Sequence, residues 1–284
     1  MAKLKNQRLR GPSIKRRAPI YFCLLLFGTP VWALRIVSLM PSNTEILDAL
    51  GAGKEVVGVT RYDHPEERAG HPQNVGDWIT PSLETIVALH PDLVLAGYWT
   101  SSHIVPRLQA MGFQVMEIKN PTSIEGIYET IRMIAQAIGR PEASPPIIQT
   151  MRERLAKVQS QTRALPHRLR TYIEVDRPFW TVGGHDFLSE AAACAGSDNI
   201  FSDVQKSAAQ VSPEMVIERN PELIISFEAK RNEIQRRAGW DTLAAVRKGF
   251  IIDDLNRDLL SRPSPRLVEG VEALAQRIQA LEKQ

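Results

Sequence analysis

The sequence predicts an α/β fold of two Rossmann-like lobes with a ligand cleft between them, joined by one long backbone helix. Strands alternate with helices along residues 34–284, one helix-to-strand unit occurs twice, and a single amphipathic helix separates the two copies. Strands that alternate with helices form βαβ units and hence a parallel sheet. The predicted domains are a signal peptide (1–33), an N-terminal lobe (34–140), the linking helix (141–167) and a C-terminal lobe (168–284).

The leader, residues 1–33, has the pattern of a secretory signal peptide. Seven basic residues and no acidic residue precede an uncharged apolar stretch from Ala18 to Leu34. We expect cleavage after Ala33 and a periplasmic location. The alternative is an uncleaved anchor, although about 17 residues interrupted by two prolines and a glycine are short for a membrane span. No cysteine follows the cleavage site, which argues against a lipid anchor.

Charge and cysteine content narrow the function classes. The whole chain has 35 basic and 32 acidic residues, and the leader holds seven of the basic ones. The remainder is therefore slightly acidic, and nothing indicates a nucleic-acid partner. Outside the leader Cys194 is the single cysteine, so no intrachain disulfide is expected there.

The first lobe is predicted element by element from hydrophobic periodicity. Short apolar runs indicate strands, apolar residues at steps of three and four indicate helices, and glycines end the helices. The predicted strands are 35–39, 55–60, 92–96 and 113–118, and the predicted helices are 41–53, a short one from Ser82, 104–112 and 123–139.

The linking helix and the second lobe follow the same logic. From about Pro146 to Leu165, apolar residues recur at steps of three and four, which predicts one long amphipathic helix ended by Pro166. The alternation then restarts: strand 170–175, helix 185–196, the second copy of the repeated unit, strand 249–254, a loop over 254–267 and a last helix from about Pro265.

The repeated unit places one glutamate at the same position in each lobe. "SLETIVALHPDLVL" (82–95) and "SPEMVIERNPELII" (212–225) align with Glu84 opposite Glu214, and 44–53 echoes 189–198. These two pairs of similar segments indicate an internal repeat. An acid in the first turn of any helix is favoured by the helix dipole, but that alone does not explain why both lobes keep it.

Loops at the carboxyl ends of the strands are where open α/β sheets bind ligands. Aromatic side chains concentrate in these loops, which favours a cleft for a large flat ligand. The predicted aromatic contacts are Tyr62, Trp78, Tyr98, Trp99, Phe179 and Trp180. The last loop adds Asp258 and Arg262 as predicted polar contacts.

Known catalytic motifs do not support an enzymatic function. The sequence has no Walker-type phosphate loop and no GxSxG elbow. Its histidines are scattered, although His64 and His103 follow predicted strands and keep open the alternative of an α/β metalloprotein or enzyme.

Residues 34–280 resemble the bacterial periplasmic binding proteins whose two lobes are joined by a single backbone helix. The likeness rests on segments 35–53, 57–63, 74–96 and 197–225, which occur in the family's order. These proteins serve ABC importers of cobalamin, siderophores, haem and some metals. The resemblance implies a monomeric receptor that is not an enzyme, with Glu84 and Glu214 docking into the two membrane subunits of the importer.

Within that family the chain is most similar to the cobalamin-binding branch. The branch pattern falls on Tyr62, Trp78, Phe179, Asp258 and Arg262, which implies a corrinoid, most closely cobalamin, as the ligand. Two features depart from the branch. Alanines at 208 and 209 stand where an aromatic is expected, and the usual second cysteine is missing from the last helix. One pocket wall is then smaller, which leaves open another corrinoid, a ferric siderophore or haem.

Overall fold

A computed structural model describes residues 34–68, 70–97, 104–165 and 167–283. The predicted signal peptide lies outside the described residues, as do Tyr98, Trp99 and His103. Within the described ranges, no helix combines the length and the apolar composition that crossing a bilayer requires.

The N-terminal part of the described chain forms a five-stranded sheet in the order β3-β2-β1-β4-β5, with every pairing parallel. Strands β1, β2 and β4 are mostly buried apolar runs, as expected for a sheet covered on both faces, whereas the edge strand β3 is polar and exposed. The strands are β1 (Ile36–Ser38), β2 (Val56–Val59), β3 (Gln73–Asn74), β4 (Leu93–Gly97) and β5 (Val115–Ile118). The helices are α1 (Pro41–Ala49), α2 (Leu83–Ala88), α3 (Val105–Ala110) and α4 (Ile124–Ala137).

The linking helix α5 spans Ser144–Thr162. It begins two residues earlier than predicted because prolines are tolerated in the first helical turn, where backbone N–H groups lack intrahelical partners. Four residues of the predicted apolar stripe are buried, namely Ile148, Met151, Leu155 and Val158, and the fifth, Ile147, is half-buried. These side chains belong to one apolar core that continues from the first sheet through α5 into the second.

The C-terminal part forms a second, six-stranded sheet in the order β11-β10-β6-β7-β9, with β8 also paired to β6. The strands are β6 (Leu169–Asp176), β7 (Trp180–Val182), β8 (Ser197–Asn199), β9 (Ala208–Gln210), β10 (Leu223–Ser226) and β11 (Ile251–Ile252). The helices are α6 (Phe187–Cys194), α7 (Pro213–Arg219), α8 (Arg231–Ile234), α9 (Ala244–Lys248), α10 (Arg257–Ser261) and α11 (Leu267–Leu281).

The predicted α/β fold class is confirmed, with two differences in the C-terminal part of the chain. β7 pairs antiparallel with β6 and β9, so the sheet is mixed. The sequence did not indicate β7, β8 or β9, which lie outside the apolar runs from which strands were predicted. The predicted loop over 254–267 contains helix α10, which begins after Asn256, whose side chain accepts a hydrogen bond from the Asp258 N–H at 3.0 Å.

The two copies of the repeated unit have matching local geometry. Ser82 caps α2 by accepting from the Thr85 N–H at 3.2 Å, and Ser212 caps α7 by accepting from the Met215 N–H at 3.3 Å. Each helix is followed at the equivalent position by a residue with a left-handed backbone. A side-chain cap of this kind stabilises a helix start by about 1 kcal/mol.

The two copies of the repeated unit also share hydrogen bonds to an arginine that lies outside each aligned segment. The Arg35 N–H donates to Asp92 at 2.8 Å, and the Arg170 N–H donates to Glu222 at 3.1 Å. The Arg35 side chain also donates to the carbonyl after α2 at 2.7 Å, and the Arg170 side chain donates to the last carbonyl of α7. In each lobe one arginine therefore ties the glutamate-bearing helix to the first strand.

Candidate ligand cleft

A pocket of about 580 Å³ lies at the carboxyl ends of the first sheet. Its lining comes from the segments after β1, β3 and β5, from Gly97 at the end of β4, and from Pro263 near the C-terminus. The strand order reverses between β1 and β4, which is where open α/β sheets bind ligands. Trp78 lines this pocket, as do Asn43 and Lys119.

Asn43 is a candidate that the sequence reading missed. It is 3% exposed, and its amide nitrogen has no hydrogen-bond partner within the described residues. A buried, unpaired donor is costly, so a group that accepts from it in the pocket would be favoured. Its place in "PSNTE", at the start of a helix, gave no signal beyond ordinary helix capping.

Trp78 is presented by a tight turn. Asp77 Oδ1 accepts from the N–H groups of Ile79 at 2.9 Å and Thr80 at 2.6 Å. The Thr80 N–H, together with the Ile79 N–H and nearby Arg61, holds the pKa of Asp77 below its usual range despite partial desolvation. The carboxylate therefore stays ionised at neutral pH, and the turn that carries Trp78 is held in one conformation.

Tyr62 follows β2 and is 41% exposed. The Arg61 guanidinium donates to the Tyr62 hydroxyl at 3.1 Å and lies 5.1 Å from the ring centroid. The Tyr62 carbonyl accepts from Arg262 at 3.2 Å. Two predicted site residues 200 positions apart are thus brought into contact.

In the second lobe Phe179 packs against the guanidinium of the half-buried Arg237. The Arg237 guanidinium lies 4.8 Å from the Phe179 ring centroid and 4.6 Å from that of Trp240. Glu174, fully buried, accepts from Arg237 at 2.5 and 2.7 Å. Burial works against the charge on Arg237, but bonding to Glu174 outweighs it and raises the arginine pKa. The next residue, Trp180, is 39% exposed.

The last loop and α10 carry a charged cluster that crosses to the first lobe. Arg262 donates to Asp258 at 2.7 Å and to Glu45 of α1 at 2.9 Å. Arg266 reaches Glu45 at 3.4 Å, and the Ser264 hydroxyl donates to Glu45 at 2.5 Å. The sequence predicted Asp258 and Arg262 but not Glu45, which looks like an ordinary acid on a helix surface.

Beside this cluster is a polar pocket of about 760 Å³. Arg262 lines this pocket, and the next residue, Pro263, lines the Trp78 pocket. Asp63, also in the lining, is 8% exposed and accepts from the Thr60 hydroxyl at 2.7 Å. Burial raises the pKa of Asp63, although hydrogen bonds from neighbouring hydroxyls oppose the shift.

The arginines in the segments that follow the strands of both lobes are neutralised by carboxylates, and of these Arg68 and Arg262 line the polar pocket. The ion pairs in these loops are Arg61–Asp77, Arg68–Asp48, Arg177–Glu233, Arg257–Glu228 and Arg262–Asp258. The loops therefore present paired donors and acceptors rather than a cluster of free cations.

Glu84 and Glu214 are both exposed, in the first turns of α2 and α7. Neither forms an ion pair with another described residue. The pKa of Glu214 is lowered by its own backbone N–H and by Ser212. Glu84 lies at the rim of an open, largely apolar groove that includes Val87 and Met111.

Among the described residues, no group of three His, Cys, Asp or Glu side chains could hold a metal ion. His64 is exposed and approaches Glu66 at 3.9 Å.

Comparison with known proteins places this geometry in a family. The sequence matches the periplasmic binding protein family over residues 36–256. It is 33% identical over 252 residues to an uncharacterized ABC transporter substrate-binding lipoprotein of Bacillus subtilis (86% of this chain, 79% of that one). It is 29% identical over 271 residues to the vitamin B12-binding protein of Yersinia pseudotuberculosis (93% and 94%). The periplasmic haem-binding protein of Roseiflexus sp. RS-1 superposes with a TM-score of 0.77 at 25% identity (88% and 99%).

Proposed function

Given that the chain belongs to the periplasmic binding protein family and is thus a substrate-binding protein of an ABC importer, we propose that its cargo is a corrinoid, most closely cobalamin. It captures the corrinoid in the periplasm and delivers it to the membrane permease. The observation that carries this proposal is the pairing of Asp258 with Arg262, which also contacts the Tyr62 carbonyl and precedes Pro263 in the wall of the Trp78 pocket.

A primary carboxamide is the chemical complement of that pair. Asp258 supplies an acceptor and Arg262 a donor, 2.7 Å apart, and a carboxamide both donates and accepts. A carboxylate would bond Arg262 but would be repelled by Asp258. The corrin ring of cobalamin carries carboxamide arms, whereas haem carries carboxylates. Tyr62, Trp78, Phe179 and Trp180 supply apolar surface for the macrocycle, and Asn43 supplies a further donor.

The pairing of the arginines supports a neutral cargo at the Asp258–Arg262 position, whereas Lys119 in the lining of the Trp78 pocket has no carboxylate partner among the described residues. A ferric siderophore with carboxylates or catecholates needs several unpaired cations, and the arginines around the cleft pair with carboxylates instead. Relatives that bind vitamin B12 are consistent with this proposal, while the similarity to a haem-binding protein keeps haem as a competitor.

The proposal is tested by tryptophan fluorescence of the purified protein during titration with cyanocobalamin, haemin and a ferric siderophore. We expect a saturable change with cyanocobalamin at micromolar protein, and displacement by neither iron compound. Saturation with haemin or the siderophore alone would contradict the corrinoid proposal and leave the receptor class intact.

We also propose that Glu84 and Glu214 dock the two lobes to the two membrane subunits. Support comes from their exposure, the matched geometry of their helices and the absence of ion-pair partners among described residues. Alanine at both positions is expected to leave cyanocobalamin affinity unchanged and to abolish uptake in cells. Glu218→Ala, an exposed glutamate on the same helix as Glu214, is the control and should leave uptake intact. Lost affinity in the double variant would instead assign the two acids to ligand binding.

Haem is the second candidate because Tyr62 offers an exposed phenol oxygen at the cleft. Tyrosine is an established axial ligand of haem iron, and Arg61 donates to this hydroxyl. If haem is the cargo, Tyr62→Phe should shift the Soret band of the haemin complex; an unchanged spectrum would remove this candidate.

A further inference from the structure

We propose that Glu45 is a specificity-determining residue: it neutralises the Arg262–Arg266 pair, so that the cleft accepts a carboxamide in preference to a carboxylate. This inference rests on the proposed function, because it concerns how the same site discriminates between cargoes.

The contacts fix the Glu45 carboxylate against both arginines. Oε1 accepts from Arg262 at 2.9 Å and from Arg266 at 3.4 Å, and Oε2 accepts from the Ser264 hydroxyl at 2.5 Å. The Glu45 side chain is 7% exposed and the Arg262 side chain 17% exposed. Charges buried to this degree interact more strongly than exposed ones, because solvent screens them less.

The net charge around Asp258 and Arg262 follows from a count of the ionised side chains near them. Arg262 and Arg266 contribute two positive charges, and Glu45 and Asp258 contribute two negative charges. The neighbouring Arg68–Asp48 pair is also neutral. Glu269, 3.9 Å from Arg266, is exposed and therefore screened. The buried Asp63 in the same pocket adds a further negative charge when it is ionised. A ligand arm at Asp258 and Arg262 thus meets no unpaired cation there, and a carboxylate arm loses its hydration without gaining one.

A ligand can bond Asp258 and Arg262 without contacting Glu45. Nη2 of Arg262 contacts Asp258 and the Tyr62 carbonyl, whereas Nη1 donates to Glu45. Glu45 therefore acts on a ligand through Arg262, as a positioning and charge-balancing residue. Replacement of Glu45 by Gln keeps the shape and leaves one positive charge uncompensated.

Glu45 also ties α1 of the first lobe to the segment that starts α11, so a merely structural role has to be separated from charge selection. A structural tie predicts that the Glu45→Gln change weakens neutral and anionic ligands by the same factor. Charge selection predicts that the ratio of the two affinities changes. The decisive readout is therefore the ratio and not either affinity alone.

The experiment measures dissociation constants of cyanocobalamin and of each of its monocarboxylic acids, in which one peripheral carboxamide is hydrolysed. Wild type is expected to disfavour the acid isomer whose arm meets Asp258 and Arg262. Glu45→Gln should move that ratio towards the acid by about tenfold or more, the scale expected for one weakly screened charge. Arg266→Gln should move the ratio in the opposite direction. Glu269→Gln, an exposed acid near the same arginine, is the control and should change the ratio by less than about threefold.

Equal weakening of both ligand types by Glu45→Gln would overturn the inference and reduce Glu45 to a structural tie. If Glu45→Gln does not fold, as judged by thermal unfolding, the Arg266→Gln ratio decides, and an unchanged ratio would also overturn the inference. Should wild type bind haemin and not cyanocobalamin, the proposed function fails on its own. The Glu45 inference is then tested with haemin and its dimethyl ester, where Glu45→Gln must favour the free acid.

Discussion

Replacing Arg237 by Met is the sharpest test of the packing beneath Phe179. Glu174 is fully buried, and apart from Arg237 its carboxylate is bonded by the Tyr172 hydroxyl at 3.2 Å. Removing Arg237 leaves a buried carboxylate without its cation. Breaking a buried pair from one side costs about 3–5 kcal/mol, and loss of the cation between the Phe179 and Trp240 rings adds to this.

The assay is urea unfolding of three variants. Arg237→Met should lower the free energy of unfolding by about 3–5 kcal/mol, and adding Glu174→Gln should restore most of that loss, since the uncompensated charge is then gone. Arg132→Met breaks the exposed pair with Glu125 (3.3 Å) and serves as the control, with an expected cost below about 1 kcal/mol. A cost below about 1 kcal/mol for Arg237→Met, or a double variant no more stable than the single one, would refute the reasoning.

Three further outcomes follow from the structure. Burial raises the pKa of Asp63 above 3.8, so the protonated carboxyl stabilises the fold at low pH, and this contribution is lost as the pH rises through the raised pKa. Asp63→Asn should therefore be more stable relative to wild type at pH 7 than at pH 3.5 in thermal unfolding. An equal difference at both pH values would contradict this. Arg35→Met and Arg170→Met should each cost about 1–2 kcal/mol in urea unfolding, because each arginine bonds a helix-end carbonyl in its own lobe; costs differing by more than about 2 kcal/mol would argue against equivalent roles. Trp180→Phe should reduce the fluorescence change on cyanocobalamin binding while leaving thermal stability within about 1 kcal/mol, and an unchanged signal would place Trp180 away from the ligand.

The sequence predicts much of the fold because its buried strands and amphipathic helices leave periodic signals. The stripe of α5 and the two copies of the repeated unit are examples. Strands β3 and β9 are short edge strands with mostly exposed side chains, so no apolar run marks them. Helix α10 was missed for a related reason, since five residues among prolines read as a loop.

The candidate site is predictable only in part. Chain order alone suggests a cleft at Tyr62 and Trp78, which lie in the segments after β2 and β3. The same holds for Asp258 and Arg262, which lie in the segment that follows β11. Glu45 has partners more than 200 positions away in the sequence, and no local pattern announces such a contact.

Two further contributors stayed hidden for similar reasons. Arg237 finds Glu174 at a separation of 63 residues, so their pairing appears only once the second sheet is assembled. Asn43 is distinguished by a buried donor without a partner among described residues, which is a property of packing and leaves no trace in residue type or spacing.

The most direct test of the corrinoid proposal is a crystal of the protein grown with cyanocobalamin, with diffraction data recorded at the cobalt absorption edge. We predict one anomalous peak between the lobes, flanked by Trp78 and Phe179, with a carboxamide arm on Asp258 and Arg262. A cobalt peak elsewhere on the surface, or none at saturating ligand, would contradict the account.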